Sequence, residues 1–317
     1  MILTNEQIRN ITVGAVHTEE TEERLCFFKY TPEMLKAWTE LDDAFTSRSR
    51  ATTGIRLDFH TNSKSMTVKI MESAKFEIYI NGLFRYTMTE TDCLTVTLDT
   101  PRGQPLEDAH VTVYFPAHKH GRFLSLELDD GAYVTPHTFD RRILFLGDSI
   151  TQGWDTLFDS LSFANKVSRY FNAESVIQGV GGACFFPHLL EPIPFDPHWV
   201  VVAYGTNDFN RYSTVEEFVP PMCEYMAKLK RLYGDKQVFV ISPIWRRLRK
   251  PEARERFEEY RRAIEDEAQK QGVCLVEGSL LVPPVNELYT DGLHPNDTGF
   301  SLYAENLIEV LREYAQN

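Results

Sequence analysis

The chain is poor in cysteine, in positive charge and in long apolar runs, and each shortage excludes something. Its five cysteines (Cys26, Cys93, Cys184, Cys223 and Cys274) are scattered and odd in number, with no CxxC spacing. That excludes a disulfide framework and a structural zinc site, and it fits a reducing compartment. Lysine and arginine total 33 against 46 acidic residues, a formal net charge of −13. Nucleic acid and anionic membranes need a basic face, so neither is expected as a partner. No apolar run is long enough to span a bilayer. The opening segment 1–7 has neither a basic n-region nor an apolar h-region, so the chain reads as cytoplasmic. No His/Asp/Glu group has metal-ligand spacing, and no metal or other cofactor is expected. No internal repeat or low-complexity tract is present.

What is present is enough apolar material for real cores: 43% hydrophobic against 25% charged over 317 residues, a length that suits about two domains. Before residue 138 the pattern reads as all-β. Ile55, Leu57 and Phe59 alternate with Arg56, Asp58 and His60, a period of two that predicts one buried and one wet face. Phe76, Ile78 and Ile80 repeat it and stop at Asn81-Gly82, a hairpin-type turn. Leu94, Val96 and Leu98 follow, then Val111, Val113 and Phe115, then Leu124, Leu126 and Leu128, which together predict an antiparallel sandwich. From residue 139 the rhythm changes. Apolar strand runs at 143–146, 175–178, 199–204, 237–242 and 273–276 alternate with amphipathic helices at about 160–171, 215–232, 251–271 and 297–314. Pro251 suits a helix start and Gly272 a stop. This alternation predicts a parallel sheet covered by helices on both faces. The domains are expected at 1–138 and 139–317.

Chemistry concentrates at the ends of those strands. The apolar run 143–146 leads into Gly147-Asp148-Ser149, which puts a serine hydroxyl on the turn after a buried strand, where an α/β fold carries its reactive groups. A serine needs a base to take its proton, and His294 is the candidate. Asp291, three residues earlier, can reach the second ring nitrogen and fix the tautomer. A tetrahedral intermediate needs hydrogen-bond donors. Gly179, Gly181 and Gly182 follow one strand, Asn207 follows another, and the Ser149 N–H is a third source.

These blocks resemble those of the SGNH, or GDSL-type, hydrolase superfamily. Gly147-Asp148-Ser149 looks like its first block, Gly182 like the glycine of its second, Gly205-Thr206-Asn207-Asp208 like its third, and Asp291-Gly292-Leu293-His294 like its fifth, all in order over 143–296. The resemblance implies a flavodoxin-like α/β domain and metal-free ester hydrolysis. Ser149, Asp291 and His294 would form the triad, with Ser149, Gly182 and Asn207 as oxyanion donors. One departure is Ile177, which stands where an asparagine often precedes the second-block glycines and leaves a supporting hydrogen bond without its usual donor. The N-terminal sandwich ahead of the hydrolase resembles the layout of carbohydrate esterase family 2, where a jelly roll packs on the catalytic domain. It implies acetyl esters of carbohydrates as substrates.

Other residues carry weaker signals. Trp154 and Trp245 fall just beyond strand ends and either stack on a sugar, line an acyl pocket or simply pack. Asp208 is a candidate substrate contact, with support of its own loop as the plainer role. Asp148 reads as a turn carboxylate, Cys184 as a packing residue, and His188 and His198 as satisfied histidines. The basic run 246–250 reads as a solvated loop, and the charges between Glu252 and Glu267 as a solvated helix face. The expected partner is a small-molecule acyl ester, an acylated sugar above all. The oligomeric state, including a homo-oligomer, stays open. Rival functions are a lipid esterase, thioesterase or acyltransferase with the same triad, and a glycan-binding protein with a vestigial site.

Overall fold

A computed structural model describes residues 1–22, 24–71 and 74–315. The N-terminal unit is β-rich. One antiparallel sheet runs in the order Thr12–Val13, Arg56–Thr61, Ala109–Tyr114, Phe76–Ile80 and Leu83–Met88, with Thr135–Pro136 beside Arg56–Thr61. A second has Ser65–Ile70 between Phe123–Leu128 and Cys93–Thr97. Their inner faces meet in one core, where Leu57, Phe59, Ile78 and Val113 face Met66, Val68, Val96 and Leu126. Each such side chain contributes about 1.5–3 kcal/mol on burial. The Asn81-Gly82 hairpin forms as expected, with φ of 50° and 75°, the paired positive values that a primed turn requires.

Two expectations for this unit need correction. It is not all-β, because helices α1 (Asn5–Asn10), α2 (Pro32–Leu41) and α3 (Asp43–Arg50) interrupt it. Thr31 caps α2 ahead of Pro32, and Asp42 caps α3, local signals that the surrounding strand alternation obscured. Met34, Leu35, Trp38 and Phe45 from these helices pack with Val180 and Phe186 of the following unit. Nor is the second face of the larger sheet wet. Arg56, Asp58, Glu77, Thr112 and Tyr114 are all buried, because the C-terminal unit covers them. Arg56, Asp58, Glu77 and Tyr114 all meet partners there, although Arg56 Nη1 has none among the described residues. Arg56 pairs with Asp58 at 2.8 Å and donates to Ala173 O at 3.0 Å. The Glu77 carboxylate accepts from the Asp159 and Ser160 N–H groups at 2.6 and 3.2 Å.

The C-terminal unit is α/β. Strands β1 (Arg141–Gly147), β2 (Ala173–Gly179), β3 (Trp199–Ala203), β4 (Gln237–Ile241) and β5 (Cys274–Val276) form a parallel sheet in the order β2-β1-β3-β4-β5. Alternate residues of β1 go to opposite faces and both sets are buried. Leu144 and Leu146 join the core under Val215–Tyr233 and Pro251–Gln271, whereas Ile143 and Phe145 join that under Phe163–Tyr170 and Asp297–Arg312. Burial on both faces is why these strands read as unbroken apolar runs. The chain order reverses on either side of β1, so a crevice opens at its carboxyl end, the place where this class of fold binds ligands. Among the described residues no helix is long and apolar enough to cross a membrane.

Candidate active site

Ser149 begins the single-turn helix α4 (Ser149–Gln152) directly after β1. The Asp148 carboxylate caps it by accepting from the Ile150 N–H at 2.9 Å. His294 comes from the loop ahead of α5 (Asp297–Arg312). Its Nε2 stands 2.8 Å from Ser149 Oγ and its Nδ1 2.9 Å from Asp291 Oδ2. The other Asp291 oxygen accepts from the Leu293 and His294 N–H groups, both at 2.8 Å. Burial pushes the Asp291 carboxyl upward, but these N–H groups and the imidazole outweigh it and hold it below the usual carboxylate range. An ionised Asp291 only accepts, so Nδ1 carries the ring proton and Nε2 is left to receive that of Ser149.

The structure thus joins all three residues expected for the triad. It adds one that sequence did not suggest. Asp155 Oδ2 lies 3.7 Å from His294 Nδ1, held by a left-handed backbone with φ of 70°. Nothing in the local sequence marks it, since the strained turn after α4 is what aims it.

The glycine loop after β2 faces the serine. Gly181 N–H donates to Gln152 Oε1 at 2.9 Å, and Gly181 O accepts from Arg48 Nη1 at 2.8 Å. With Gly181 N–H already engaged, Gly182 is the glycine whose N–H can face a developing oxyanion, and its φ of +87° suits glycine alone. Gln152 also donates to Ala117 O at 2.8 Å, so it ties the glycine loop to the N-terminal unit. Ile177 itself is buried in the core. Asn207, just past β3, donates through Nδ2 to Ala183 O at 3.1 Å and points toward Asp148 Oδ2 at 3.4 Å. That bridges the second and third blocks beside the serine turn.

Much of this support comes from the N-terminal unit, which sequence spacing could not reveal. Besides Arg48, the fully buried Lys29 donates to Gly179 O and Thr53 Oγ1, both at 2.8 Å. Burial lowers its pKa well below that of a free lysine. His118 stands edge-on to Trp154, 4.9 Å between centroids.

The other candidates divide. Trp154 is 38% exposed and its ring lies 6.2 Å from that of His294, so it offers a face beside the nucleophile. Trp245 packs on Tyr289 and lines a neighbouring cavity. Asp208 does not fit the substrate contact considered for it: it is fully buried, and Oδ1 accepts from the Phe185 N–H at 3.1 Å. Burial pushes the carboxyls of Asp148 and Asp208 both up to about 7. Cys184 is buried, which raises its thiol pKa, as suits a packing residue. His198 is exposed and accepts from the Arg142 N–H at 3.1 Å, and His188 packs against Phe186.

One histidine cluster was invisible to spacing along the chain. His60 and His110 pair on neighbouring strands of the β-rich unit, and His137, just past the strand Thr135–Pro136, joins them. Their rings stack, with centroids 4.1 to 5.2 Å apart. His60 bridges Asp108 and His137, His137 reaches Asn172, and His110 meets Asp58. These contacts form a hydrogen-bonded relay between the two units.

Residues 145–302 match the family described as GDSL-like Lipase/Acylhydrolase. No curated protein matches the chain. Among solved structures it is similar to a salicylyl-acyltransferase from a tetracycline biosynthetic pathway, with a TM-score of 0.79 and 19% identity, covering 96% of this chain and 94% of that one. It is similar also to a GDSL-like lipase from Bacteroides ovatus, with a TM-score of 0.73 and 16% identity over 100% and 98% of the two chains. A family two carbohydrate esterase from Clostridium thermocellum, solved with cellohexaose, gives a TM-score of 0.66 and 18% identity over 83% and 93%. At such identities the likeness is one of fold.

Proposed function

The α/β unit of this chain belongs to the GDSL-like lipase and acylhydrolase family, and from that premise we propose that the protein is a serine esterase cleaving small acyl groups, acetyl foremost, from carbohydrate through an acyl-Ser149 intermediate. The observation that carries this reading is the unbroken relay of Ser149 Oγ, His294 and Asp291, with links of 2.8 and 2.9 Å. Ser149 Oγ attacks the ester carbonyl carbon as its proton passes to His294 Nε2. The C=O electron pair becomes an oxyanion facing the N–H groups of Gly182 and Ser149, and the Asn207 amide joins them by giving up its long 3.4 Å contact with Asp148. Collapse breaks the bond to the alcohol, which leaves with the proton from Nε2. Water then gives a proton to Nε2 and attacks the acyl carbon. The second collapse releases the acid and returns the proton to Ser149 Oγ. Asp291 stays ionised throughout and holds the imidazolium.

A carbohydrate alcohol is supported by the half-open face of Trp154 beside His294, since an aromatic there can stack on a sugar ring. The esterase fold relative solved with cellohexaose points the same way. In this reading the N-terminal unit serves the cleft by bracing its oxyanion loop through Arg48 and Lys29. The same acyl-enzyme could pass its acyl group to an alcohol instead of water, and the fold relative named as an acyltransferase keeps that second reading in play.

The test is hydrolysis of p-nitrophenyl acetate, butyrate and octanoate by wild type and Ser149→Ala, with acetylated xylose as a further substrate. Acetate should be preferred, and Ser149→Ala should lose activity by orders of magnitude. Activity that survives the substitution would remove the serine mechanism, and a strong octanoate preference would remove the acetyl assignment. A product formed from an added alcohol faster than from water would favour transfer.

A further inference from the structure

Next to the catalytic loops lies a cavity of about 710 Å³, a size that suits a small-molecule site. Arg246, Arg247, Arg249, Arg254 and Arg261 line it, and Glu258 is the one carboxylate among its lining residues. Trp245 and Phe257 provide apolar wall. Residues 246–249 of the run 246–250, which sequence alone read as a solvated loop, therefore line a concave, cationic pocket on a chain whose net charge is −13.

These guanidiniums are poorly neutralised. Arg261 pairs with Glu258 at 2.5 Å and lies 3.7 Å from Glu265. Among the described residues no carboxylate lies within ion-pair distance of Arg246, Arg247, Arg249 or Arg254. Three of them are held by backbone carbonyls instead. Arg246 Nη1 donates to Thr206 O at 2.7 Å, Arg247 Nη2 to Asp291 O at 3.1 Å and Arg254 Nε to Leu248 O at 2.7 Å. Arg246 Nε is buried with no hydrogen-bond partner among the described residues. Carbonyls fix the direction of a guanidinium but leave its charge in place. Like charges gathered in a concavity repel one another and raise the local potential for an anion.

The pocket is tied to the chemistry by the same bonds. Thr206 precedes Asn207 and Asp291 belongs to the triad loop, whose Gly292 O also accepts from the Arg247 N–H at 2.6 Å. A group seated among the arginines would thus be held by the backs of two catalytic loops. Guanidinium forks match carboxylate and phosphate oxygens in pairs. We propose that this cavity receives an anionic substituent, a carboxylate or a phosphate, carried on the sugar of the ester substrate. The proposal rests on the esterase reading above and narrows its substrate class to acidic sugars.

The experiment has a kinetic arm and a binding arm. The kinetic arm compares kcat/KM for O-acetylated methyl glucuronoside, an O-acetylated sugar phosphate and O-acetylated methyl glucoside, in wild type, in Arg249→Gln/Arg254→Gln and in Arg249→Glu. Arg249 and Arg254 are exposed, so these variants should fold. The binding arm titrates glucuronate and inorganic phosphate calorimetrically into Ser149→Ala with and without the arginine substitutions. We expect an acidic-over-neutral ratio of at least about tenfold that collapses in the variants and shrinks with salt, and the better of the two anions identifies the substituent. Neutral and acidic esters hydrolysed equally, with neither anion bound, would overturn the cavity assignment while leaving the esterase reading intact. Anion binding that the arginine variants abolish, in a protein that hydrolyses no ester, would sustain the cavity and defeat the esterase. Neither turnover nor binding would defeat both.

Discussion

Arg48 should act on catalysis without touching the substrate. Its Nη1 donates to Gly181 O at 2.8 Å. The Gly181 carbonyl and the Gly182 N–H belong to one rigid peptide plane and point in opposite directions, so holding the carbonyl from the N-terminal side aims the N–H toward the serine. Glycine on both sides of that plane, one at φ +87°, lets the unit flip with little steric resistance. A hydrogen bond from a charged donor contributes about 1.5–3 kcal/mol. Because Arg48 is only half-buried, about 1–2 kcal/mol is the appropriate share after screening by solvent. That converts to a fall of about 5–30-fold in kcat for Arg48→Ala, with KM little changed. Arg48→Lys keeps a cationic donor and should recover part of the loss. Steady-state kinetics on p-nitrophenyl acetate, with thermal unfolding as a control for folding, measures this. An unchanged kcat would show that the peptide is oriented without Arg48, and a change confined to KM would place Arg48 on the substrate.

Three further outcomes follow from the same geometry. Gly182→Ala forces a side chain into a left-handed φ with its Cβ only 2.9 Å from Arg48 Nη1; kcat should fall about 10²–10³-fold, and near-wild-type turnover would remove Gly182 from the oxyanion site. Asp208 ionises near 7 when folded because burial opposes its charge, against about 3.9 when unfolded. The folded state therefore holds the proton more tightly, so stability is fullest below about pH 4 and declines as pH rises through 7. Asp208→Asn should escape that decline, its melting temperature gaining on wild type between pH 5 and 8, and parallel curves would show that Asp208 does not titrate there. Trp154→Ala should raise KM for acetylated sugars about tenfold and leave p-nitrophenyl acetate nearly unaffected, whereas equal effects on both would make Trp154 a support for His294 rather than a sugar platform.

The α/β unit was largely legible before folding. The run 143–146 lies inside β1, and the segments 215–232 and 251–271 correspond to the helices Val215–Tyr233 and Pro251–Gln271. Strands buried on both faces leave continuous apolar runs, and proline and glycine mark helix ends, so period and punctuation agree. The N-terminal unit was less so. Its alternation located strands such as Phe76–Ile80 and Ala109–Tyr114, but α2 and α3 escaped notice. Their apolar residues face the other unit, so their reason to be helical lies across an interface.

The sequence by itself determined the reactive set. Ser149 stands on the turn after the apolar strand β1, where such a fold presents its reactive side chains, and Asp291 and His294 lie three residues apart on the loop ahead of the last helix, close enough in the chain for one to orient the other. Only the tertiary structure decided what surrounds that set. Arg48, Lys29 and Asp155 reach the site across long chain separations or through a strained turn, Asp208 is withdrawn into the interior, and the arginines of 246–250 line one cavity together with Arg254 and Arg261. Periodicity reports which way a side chain leaves its own element. What it then meets depends on elements packed from elsewhere in the chain, and that information is carried by the docking of the two units.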